Sequence, residues 1–376
     1  MSILVVGTGF VADLYMRSLA TFGNEAPVLV AYDRDPARLS KFCEYWKVSK
    51  AESLEALLAD AQGSLVLNLT NPKSHFDVSI AALKSGKHVY SEKPLALSME
   101  HANELHHFAK SKGLYLASAP CSILSEAAQT LWKAVRDGVI GKPRLVYAEL
   151  DDNFIASSPF RKWMSETGAP WPFEDEFQVG CTFEHAGYYL TWLIAIFGSV
   201  KSVTAFSTNV VIKEKFPTID AVAPDYSCAS LLFESGVVAR LTCSVVANHD
   251  HQIQIVGDEG VLKVDECWNN RAKVYFQKRY TIRRRLVNSP FKVRVRPSLK
   301  VNQPSVGRWG AASMNFALGP VEMLRAIREG RACRMSAEFA LHLNEVTLAI
   351  HEAGEVSSTK IMTTSCPPIS PMEMSA

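Results

Sequence analysis

Gly7 and Gly9 belong to a Gly-x-Gly-x-x-Ala pattern that follows an apolar run at residues 3–6 and precedes an amphipathic segment. Strand, glycine turn and helix in this order are the context in which the pattern binds a dinucleotide. Gly7 permits the tight turn, Gly9 lets the backbone approach a pyrophosphate, and Ala12 keeps the helix close to the strand. Free N–H groups at the helix start then face the phosphates. The turn residues that we expect to bind the cofactor are Gly7, Thr8, Gly9, Phe10 and Val11.

Asp33 ends a second apolar run, residues 28–32, roughly 20 residues beyond the glycine turn. An acid at this place accepts hydrogen bonds from the ribose hydroxyls and repels a 2′-phosphate, which favours NAD. Arg34 follows directly and would hold that phosphate if Asp33 turned aside. The sequence therefore predicts NAD as cofactor, with NADP as the alternative.

Lys93 lies in the sequence Glu92-Lys93-Pro94, directly after another short apolar run. A lysine beside a bound nicotinamide can give or take the proton of a reacting hydroxyl group. Partial desolvation and the cationic ring would lower the pKa of Lys93 toward neutrality. We expect Glu92 to orient this loop or the nicotinamide ribose rather than to take part in the chemistry.

Apolar runs alternate with helical patterns up to about residue 119, which predicts a parallel, doubly wound α/β sheet. Ligands of such sheets bind outside the carboxyl ends of the strands. Five predicted loops fall at those ends, at residues 7–9, 33, 70–72, 92–94 and 119–121. The cofactor-binding residues that these loops add are Asp33, Arg34, Thr70, Asn71, Pro72, His75, Glu92, Lys93 and Pro94.

Four features together resemble the Gfo/Idh/MocA family. They are the glycine turn, Asp33 after the second strand, Thr70-Asn71-Pro72 followed by His75, and the Glu-Lys-Pro at 92–94. The family consists of nicotinamide-dependent oxidoreductases that act mostly on sugars, sugar nucleotides and cyclitols, and includes glucose-fructose oxidoreductase-like and inositol dehydrogenase-like enzymes. The resemblance implies that Pro94 follows a cis peptide bond.

The resemblance also implies a second α/β domain with a large, mostly antiparallel open sheet, and paired strand patterns between residues 226 and 264 agree with it. We expect a Rossmann domain at 1–121 and a substrate-binding and oligomerisation domain at 122–357, whose helices at 320–354 pack back. Residues 358–376 are expected to be an arm or disordered. Sheets of this kind often pair between subunits, so a homodimer or homotetramer through the C-terminal sheet is predicted.

By the same resemblance, the second proton-transfer group comes from a helix around residues 180–190. The family usually has Asp-x-x-x-His there, whereas this chain has Glu184 and Tyr188. Glucose-fructose oxidoreductase-like members carry a tyrosine at the second place, and a nearby Lys93 would lower the pKa of Tyr188. Glu184 would position a substrate hydroxyl. His185 is the alternative base, although it lies about 100° around a regular helix from Glu184 and shares a face with Tyr189.

Substrate contacts are expected after the strand at 144–150, where the family lines its pocket. The candidates beside Lys93, Glu184 and Tyr188 are Asp152, Asn153, Arg161, Lys162 and Trp163. Arg161 could hold a carboxylate or phosphate bidentately. His249-Asp250-His251 has the residue types of a metal site, but no third ligand is near in the sequence, so we expect no metal there.

Composition narrows the choice of partners. Residues 271–300 contain eleven Lys or Arg and no acid, which leaves the rest of the chain near −9 from a formal total of +2. A solvated outer face is the favoured interpretation of this basic segment, ahead of a phosphate-bearing ligand, and no nucleic-acid motif accompanies it. Eight scattered cysteines, no signal peptide and no membrane-length apolar run predict a cytoplasmic protein that does not bind membranes.

The sequence thus predicts an NAD(P)-dependent enzyme that interconverts a secondary hydroxyl and a ketone on a sugar, sugar derivative or cyclitol. Two alternatives remain open. One is a biosynthetic dehydrogenase that acts at the 3-keto position of a nucleotide sugar, for which the basic segment would bind phosphates. The other is a non-catalytic, dinucleotide-binding regulator, suggested by the absence of Asp-x-x-x-His and opposed by the presence of Lys93.

Overall fold

The computed structural model describes residues 1–297, 299 and 303–373. The N-terminal part contains a six-stranded parallel sheet in the order β3-β2-β1-β4-β5-β6. Its strands are β1 (Ser2–Val6), β2 (Val28–Tyr32), β3 (Ser49–Lys50), β4 (Gly63–Asn68), β5 (His88–Ser91) and β6 (Leu116–Ser118). This order reverses direction between β1 and β4, and a dinucleotide binds in the crevice at such a reversal. The predicted Rossmann fold is therefore confirmed.

Five helices connect these strands: α1 (Phe10–Ala20), α2 (Pro36–Trp46), α3 (Leu54–Leu58), α4 (His75–Lys84) and α5 (Met99–Ser111). The sequence supplies their starts, because Asp35 accepts hydrogen bonds from the amides of Ala37 and Arg38 at the first turn of α2. Helix α1 differs: its N-cap is Gly9, which makes no side-chain hydrogen bond to the first turn. The free N–H groups at the positive N-terminus of α1 are thereby available to bind an anion.

The second half of the chain forms a larger, mostly antiparallel sheet, as predicted. Ten strands take part, in the order β14-β13-β12-β11-β7-β10-β9-β8-β16, with β15 paired to β13. They are β7 (Pro143–Asp151), β8 (Val200–Thr208), β9 (Tyr226–Phe233), β10 (Val238–Ser244), β11 (Ile253–Gly257), β12 (Gly260–Val264), β13 (Val274–Ile282), β14 (Arg285–Asn288), β15 (Val293–Val295) and β16 (Ser358–Ile361). Only the β7–β10 pair is parallel among the described strands of this sheet.

Helices cover one face of this sheet and link it to the N-terminal part. They are α6 (Glu126–Arg136), α7 (Phe173–Val179), α8 (Gly187–Phe197), α9 (Ile212–Lys215), α10 (Leu318–Glu329) and α11 (Ala337–His351). Trp192 and Tyr189 of α8 are fully buried in the shared core. Helix α11 also packs against α5, and the Asn344 side chain accepts a hydrogen bond from the amide of Ala96.

The segment after residue 357 differs from the sequence expectation, and the basic segment agrees with it. The residues after 357 are not a free arm: β16 adds to the edge of the large sheet beside β8, and Thr363 and Thr364 bind the Glu345 carboxylate. The basic segment 271–300 contains the β13–β14 hairpin and β15, and most of its described residues are exposed, in agreement with the expected solvated face. Ser298 and Lys300 of that segment lie outside the described residues. Across the described residues, no helix is both long and apolar enough to cross a membrane.

Candidate active site

A single cavity of about 1140 Å³ runs from the carboxyl edge of the parallel sheet to the inner side of the large sheet. Most of the predicted site residues line it: Gly7, Gly9, Phe10, Val11, Asp33, Arg34, Thr70, Asn71, Pro72, Glu92, Lys93, Asp152, Asn153, Trp163, Glu184, His185 and Tyr188. The glycine turn at residues 7–9 and the loop at residues 92–94 thus line the same cavity. We call the part around Gly9 and Asp33 the dinucleotide half, and the part around Lys93, Glu184 and Trp268 the substrate half.

The glycine turn is shaped for close approach on both sides. Gly7 has φ +93°, and a Cβ there would lie 2.6 Å from the carbonyl carbon and oxygen of Leu69. Gly9 has no such neighbour, because a Cβ at that position would meet only the Arg38 side chain at 3.9 Å. Gly7 is therefore required by the protein itself, whereas the bare backbone of Gly9 faces the cavity. The turn fits a pyrophosphate at the start of α1.

Asp33 is tied to the glycine turn as well as exposed to the cavity. Its Oδ2 accepts hydrogen bonds from the amide and hydroxyl of Thr8, at 2.8 and 2.9 Å, and its Oδ1 accepts from the amide of Asp35. A carboxylate has about four acceptor positions, so lone pairs remain for ribose hydroxyls. Arg38 approaches Asp33 to 3.9 Å and, with Arg34, lines the same part of the cavity.

His75 lies behind the cavity rather than in it. It is fully buried, and its two ring nitrogens lie 2.7 Å from the Pro94 carbonyl oxygen and 3.0 Å from that of Thr70. Burial lowers the pKa of His75 despite these two acceptors. The imidazole therefore joins two loops of the site. Asn71 lines the cavity, and its Oδ1 is buried without a protein partner in the described chain, which suits a ligand donor.

The Glu92-Lys93-Pro94 loop is fixed by Glu92. One Glu92 oxygen accepts from the Tyr15 hydroxyl at 2.6 Å, and the other accepts from the Lys93 amide at 3.0 Å. The Lys93–Pro94 peptide bond is cis, as the resemblance implied. Glu92 thus anchors the loop to α1 in accordance with the orienting role that we expected.

The Lys93 ammonium makes an ion pair with the Glu184 carboxylate. Burial opposes the charge on Lys93, but the carboxylates of Glu184, Glu176 and Glu92 outweigh it and raise the pKa of Lys93 above its usual value. The expectation of a lowered pKa is therefore wrong for this arrangement, because it took no account of three surrounding acids. Lys93 therefore keeps its proton at neutral pH and can donate hydrogen bonds.

Glu176 is the second acid of this cluster, and sequence analysis did not identify it. It belongs to α7 and lines the cavity beside Glu184. Burial raises the pKa of Glu176, and the adjacent Glu184 raises it further. Burial also acts to raise the pKa of Glu184, but Lys93 and a hydrogen bond with Glu176 lower it overall. A proton shared by the two carboxyls would therefore favour Glu176 over Glu184.

A π-helical turn carries the predicted proton-transfer residues. Residues Thr182–Ala186 are π-helical and lead directly into α8. This wider turn brings Glu184, His185 and Tyr188 to the cavity together. The expectation that His185 would share a face with Tyr189 and not with Tyr188 is wrong, since it assumed a regular α-helical step. His185 Nε2 lies 3.5 Å from an Asp152 oxygen.

Tyr188 is buried at the junction of the two halves, with only 8% of its surface exposed. Burial raises the pKa of Tyr188, and the nearby Lys93 offsets this only partly. The expected net lowering by Lys93 is therefore wrong. Tyr188 is a neutral phenol through the neutral range and can donate a hydrogen bond to a substrate oxygen.

Aromatic rings form one wall of the substrate half. Trp163 and Trp171 meet edge to face, with centroids 5.1 Å apart, and Trp268 meets Tyr188 at 5.9 Å. Trp171 and Trp268 were not predicted, because an isolated tryptophan in a loop or after a strand carries no local signal of a pocket. Broad apolar faces next to several carboxylates suit a ring that bears many hydroxyl groups.

Five predicted site residues do not line the cavity: Thr8, His75, Pro94, Arg161 and Lys162. Thr8, His75 and Pro94 support the loops that do. Arg161, together with its neighbour Lys162, is exposed, and its guanidinium lies over the rings of Phe160 and Phe173, 5.1 Å from each centroid. The expectation that Arg161 holds an anionic substrate group is therefore not supported, because its guanidinium makes cation–π contacts with these rings and lies outside the cavity.

His249 and His251 have the third ligand that the sequence did not reveal. Asp152, His249 and His251 each offer a ligand atom within 4.8 Å of the other two. A backbone bridge between Asp151 and Asp250 brings these distant segments together. The expectation that no third ligand is nearby is thus wrong, because it considered only residues adjacent in sequence.

Comparison with known proteins identifies the two halves of the chain. Residues 1–119 match the oxidoreductase family with an NAD-binding Rossmann fold, and residues 128–263 match the GFO/IDH/MocA C-terminal domain. The chain is 23% identical to trans-1,2-dihydrobenzene-1,2-diol dehydrogenase of Mus musculus over 270 residues, which are 70% of this chain and 74% of that protein.

Solved structures share the fold over nearly the whole length. Levoglucosan dehydrogenase in complex with NADH and levoglucosan superposes with a TM-score of 0.78 at 17% identity, covering 97% of this chain and 100% of that one. UDP-N-acetylglucosamine 3-dehydrogenase from Acidithiobacillus ferrooxidans has a TM-score of 0.69 at 19% identity, covering 94% and 98%. With both domain matches, these likenesses establish that the chain belongs to the GFO/IDH/MocA family of NAD(P)-dependent oxidoreductases.

Proposed function

We propose that this protein transfers a hydride between a nicotinamide dinucleotide and a secondary hydroxyl or ketone of a neutral carbohydrate-like molecule: a sugar, a sugar derivative or a cyclitol. The observation that carries the proposal is the position of Lys93. Its ammonium lies where the dinucleotide half of the cavity meets the aromatic and acidic substrate half.

The residues of the dinucleotide half fit such a cofactor. Gly9 leaves its backbone open to the cavity, α1 begins without a side-chain cap, and the Asn71 Oδ1 is buried without a protein partner among the described residues. These groups would bind the pyrophosphate and the nicotinamide end of the dinucleotide, and Asp33 would accept hydrogen bonds from the ribose hydroxyls. The bound cofactor supplies or accepts the hydride.

Lys93, Tyr188 and the two acids would manage the proton at the substrate oxygen. In the direction of ketone reduction, the Lys93 ammonium and the Tyr188 hydroxyl donate hydrogen bonds to that oxygen, and Lys93 gives it a proton. The protonated Glu176 then restores the proton of Lys93 through Glu184. In the direction of alcohol oxidation, the same groups accept the proton in reverse order.

The charge of the substrate half favours a neutral molecule. Glu92, Glu176, Glu184, Asp152 and Asp175 all line it. Lys93 is the single Lys or Arg among the described residues that line this half, and Glu184 already neutralises it. A phosphate or carboxylate would meet net repulsion here.

The nucleotide-sugar alternative loses support from the same observation. The basic segment that could have bound its phosphates forms the β13–β14 hairpin and β15, and no described residue of it lines the cavity. The regulator alternative is opposed by Lys93, because a protein that only binds a dinucleotide has no need of a buried ammonium paired with two acids.

We further propose that the protein works as a homodimer or homotetramer through the outer face of the large sheet. Leu145, Val238 and Leu232 are exposed and directly adjacent in register across β7, β10 and β9. Tyr147 lies in the next exposed row of β7. An apolar patch that crosses three strands suits a second copy of the same face.

The eight cysteines are all unpaired, which is consistent with the cytoplasm as the proposed location.

Two experiments test these proposals. Absorbance of reduced nicotinamide would be followed with a panel of neutral sugars and cyclitols, and with sugar acids and nucleotide sugars of matched ring structure. We expect turnover on a neutral compound; turnover confined to charged compounds would refute the assignment of substrate class. Light scattering of the wild type and of Leu232→Glu would test assembly. A wild type that is monomeric at micromolar concentration would refute the proposed interface.

A further inference from the structure

A histidine cluster lies beside the substrate half, and the proposed function makes no use of it. It consists of His249 and His251 in the connection between β10 and β11, Asp152 at the end of β7, and Glu266 after β12. Asp152 directly follows β7 and His251 lies two residues before β11, the neighbour of β7 in the sheet, so the cluster lies at the ends of paired strands.

The backbone fixes this arrangement. Asp151 and Asp250 exchange hydrogen bonds of 3.0 and 2.9 Å, so Asp152 lies opposite His249. On the other side, β11 and β12 pair Ile253 with Val264, and the same register continued by two residues sets His251 opposite Glu266. Three strand ends therefore converge on one point.

Glu266 holds both imidazoles by one ring nitrogen each. Its Oε2 lies 2.9 Å from His249 Nε2, and its Oε1 lies 3.0 Å from His251 Nδ1. Since a carboxylate accepts hydrogen bonds, both of these nitrogens carry the proton in the neutral tautomer. The opposite nitrogens, His249 Nδ1 and His251 Nε2, then have free lone pairs. A carboxylate that orients histidines in this way is typical of the outer shell of metal sites.

His251 Nε2 is a buried group with nothing to bind. The His251 side chain has no exposed surface, and within the described chain its Nε2 makes no hydrogen bond. An unpaired buried polar atom costs about 1–3 kcal/mol, so such an atom in a rigid setting indicates an absent partner. Asp152 supplies a carboxylate within 4.8 Å of a ligand atom of each histidine.

We propose that Asp152, His249 and His251 bind a divalent cation of the zinc class, with Glu266 as the carboxylate that orients both histidines. Two imidazoles and one carboxylate match the donor preference of Zn²⁺, with a fourth position left for water. Tetrahedral ligands lie about 3.3 Å from one another, so the three side chains, whose ligand atoms now lie within 4.8 Å of one another, would draw together around the ion.

The site shares Asp152 with the substrate half, since this residue also lines the cavity. Trp268 contacts the cluster, with its ring centroid 4.2 Å from that of His251. Its amide also donates a 2.8 Å hydrogen bond to Glu266. An ion bound here would therefore fix one wall of the substrate half. The proposal does not depend on the proposed activity, because metal content is measured directly.

Zinc binding would be measured on the full chain after treatment with a chelator and dialysis against Zn²⁺. Metal would be counted per chain by mass spectrometry, and affinity measured by competition with a chromophoric chelator. We expect one zinc per chain. Either His249→Gln or His251→Gln should weaken binding by about 100-fold or more, and Glu266→Gln by about 10- to 100-fold. His107→Gln, an exposed histidine of α5, is the matched control and should change nothing.

Two further readouts make the outcome decisive. Visible absorption of the Co²⁺ form should show nitrogen and oxygen ligation without thiolate bands, which separates this site from the eight cysteines. His249 is exposed, so its variant remains informative even if replacement of the buried His251 disturbs folding. No zinc retained at micromolar concentration would overturn the proposal. Zinc binding unchanged in His249→Gln, or thiolate bands with Co²⁺, would overturn it equally.

Discussion

Lys93 and Glu184, 91 residues apart in the chain, form an ion pair between the two domains. Lys93 comes from a loop at the carboxyl edge of the parallel sheet, and Glu184 from the π-helical turn before α8. Each is held in place by its own surroundings: Glu92 binds the lysine loop, and Glu176 lies against the Glu184 carboxyl. The reacting end of the cavity therefore exists only when both domains are correctly packed.

Tyr188→Phe tests the neutral phenol at the substrate oxygen. Removal of one hydrogen-bond donor to a developing alkoxide should lower kcat by about 10- to 100-fold, with little change in KM. Steady-state kinetics with the preferred substrate would measure this, and Tyr147→Phe on the outer sheet face is the control. If Tyr188→Phe keeps full activity while His185→Gln loses it, the alternative base is the correct one.

Glu176→Gln tests the shared proton through the dependence of stability on pH. The pKa of Glu176 is raised in the folded chain, so the folded chain binds the Glu176 proton more tightly than the unfolded chain does. This stabilisation is complete below the usual glutamate pKa, about 4.3, and is lost as the pH rises toward the folded value. Glutamine does not titrate, so the Glu176→Gln variant does not lose this proton-linked stabilisation. The free energy of unfolding of the variant should therefore rise relative to that of wild type as the pH rises above about 4.3.

Chemical denaturation at a series of pH values would measure this difference. The matched control is Glu174→Gln, an exposed residue of the same helix. A difference between Glu176→Gln and wild type that stays constant across the pH series would show that Glu176 does not hold the proton.

Asp33→Ser tests cofactor choice. The carboxylate that would repel a 2′-phosphate is removed, while Arg34 and Arg38 remain at the same part of the cavity. We expect weaker binding of NADH, by about 10-fold, and tighter binding of NADPH, since the lost charge is worth about 1–2 kcal/mol. Fluorescence titration with both nucleotides measures the ratio. Asp77→Ser on the exposed side of α4 should leave it unchanged, and an unaltered ratio in Asp33→Ser would contradict this role of Asp33.

Local patterns in the sequence were sufficient for five of the six strands of the parallel sheet and for its loops, but not for the two-residue strand β3. The glycine turn, Asp33 and Lys93 are each next to a short apolar run, so their place at strand ends follows from the order of residues alone. Lys93 also belongs to the motif Glu92-Lys93-Pro94, which spans only three residues. Such features are local, and no knowledge of tertiary packing is needed to find them.

Residues brought in by tertiary packing could not be found in this way. Glu176 stands among Glu174 and Asp175 on a short helix, and only the packing of α7 beside the π-helical turn distinguishes it from them. The π-helical turn itself has no sequence signature, and it changed the expected direction of His185. The environment of Lys93 was only partly visible, because Glu92 is its neighbour in the chain whereas Glu176 and Glu184 reach it through tertiary packing.

Lys93→Met tests whether the Lys93 ammonium supplies the proton to the substrate oxygen, with Lys84→Met on the exposed end of α4 as its control. NADH binding and NADH oxidation by the preferred ketone would be measured on the same samples. We expect an unchanged dissociation constant for NADH and a loss of about 10²- to 10⁴-fold in turnover for Lys93→Met alone. Turnover equal to that of wild type in Lys93→Met would contradict it.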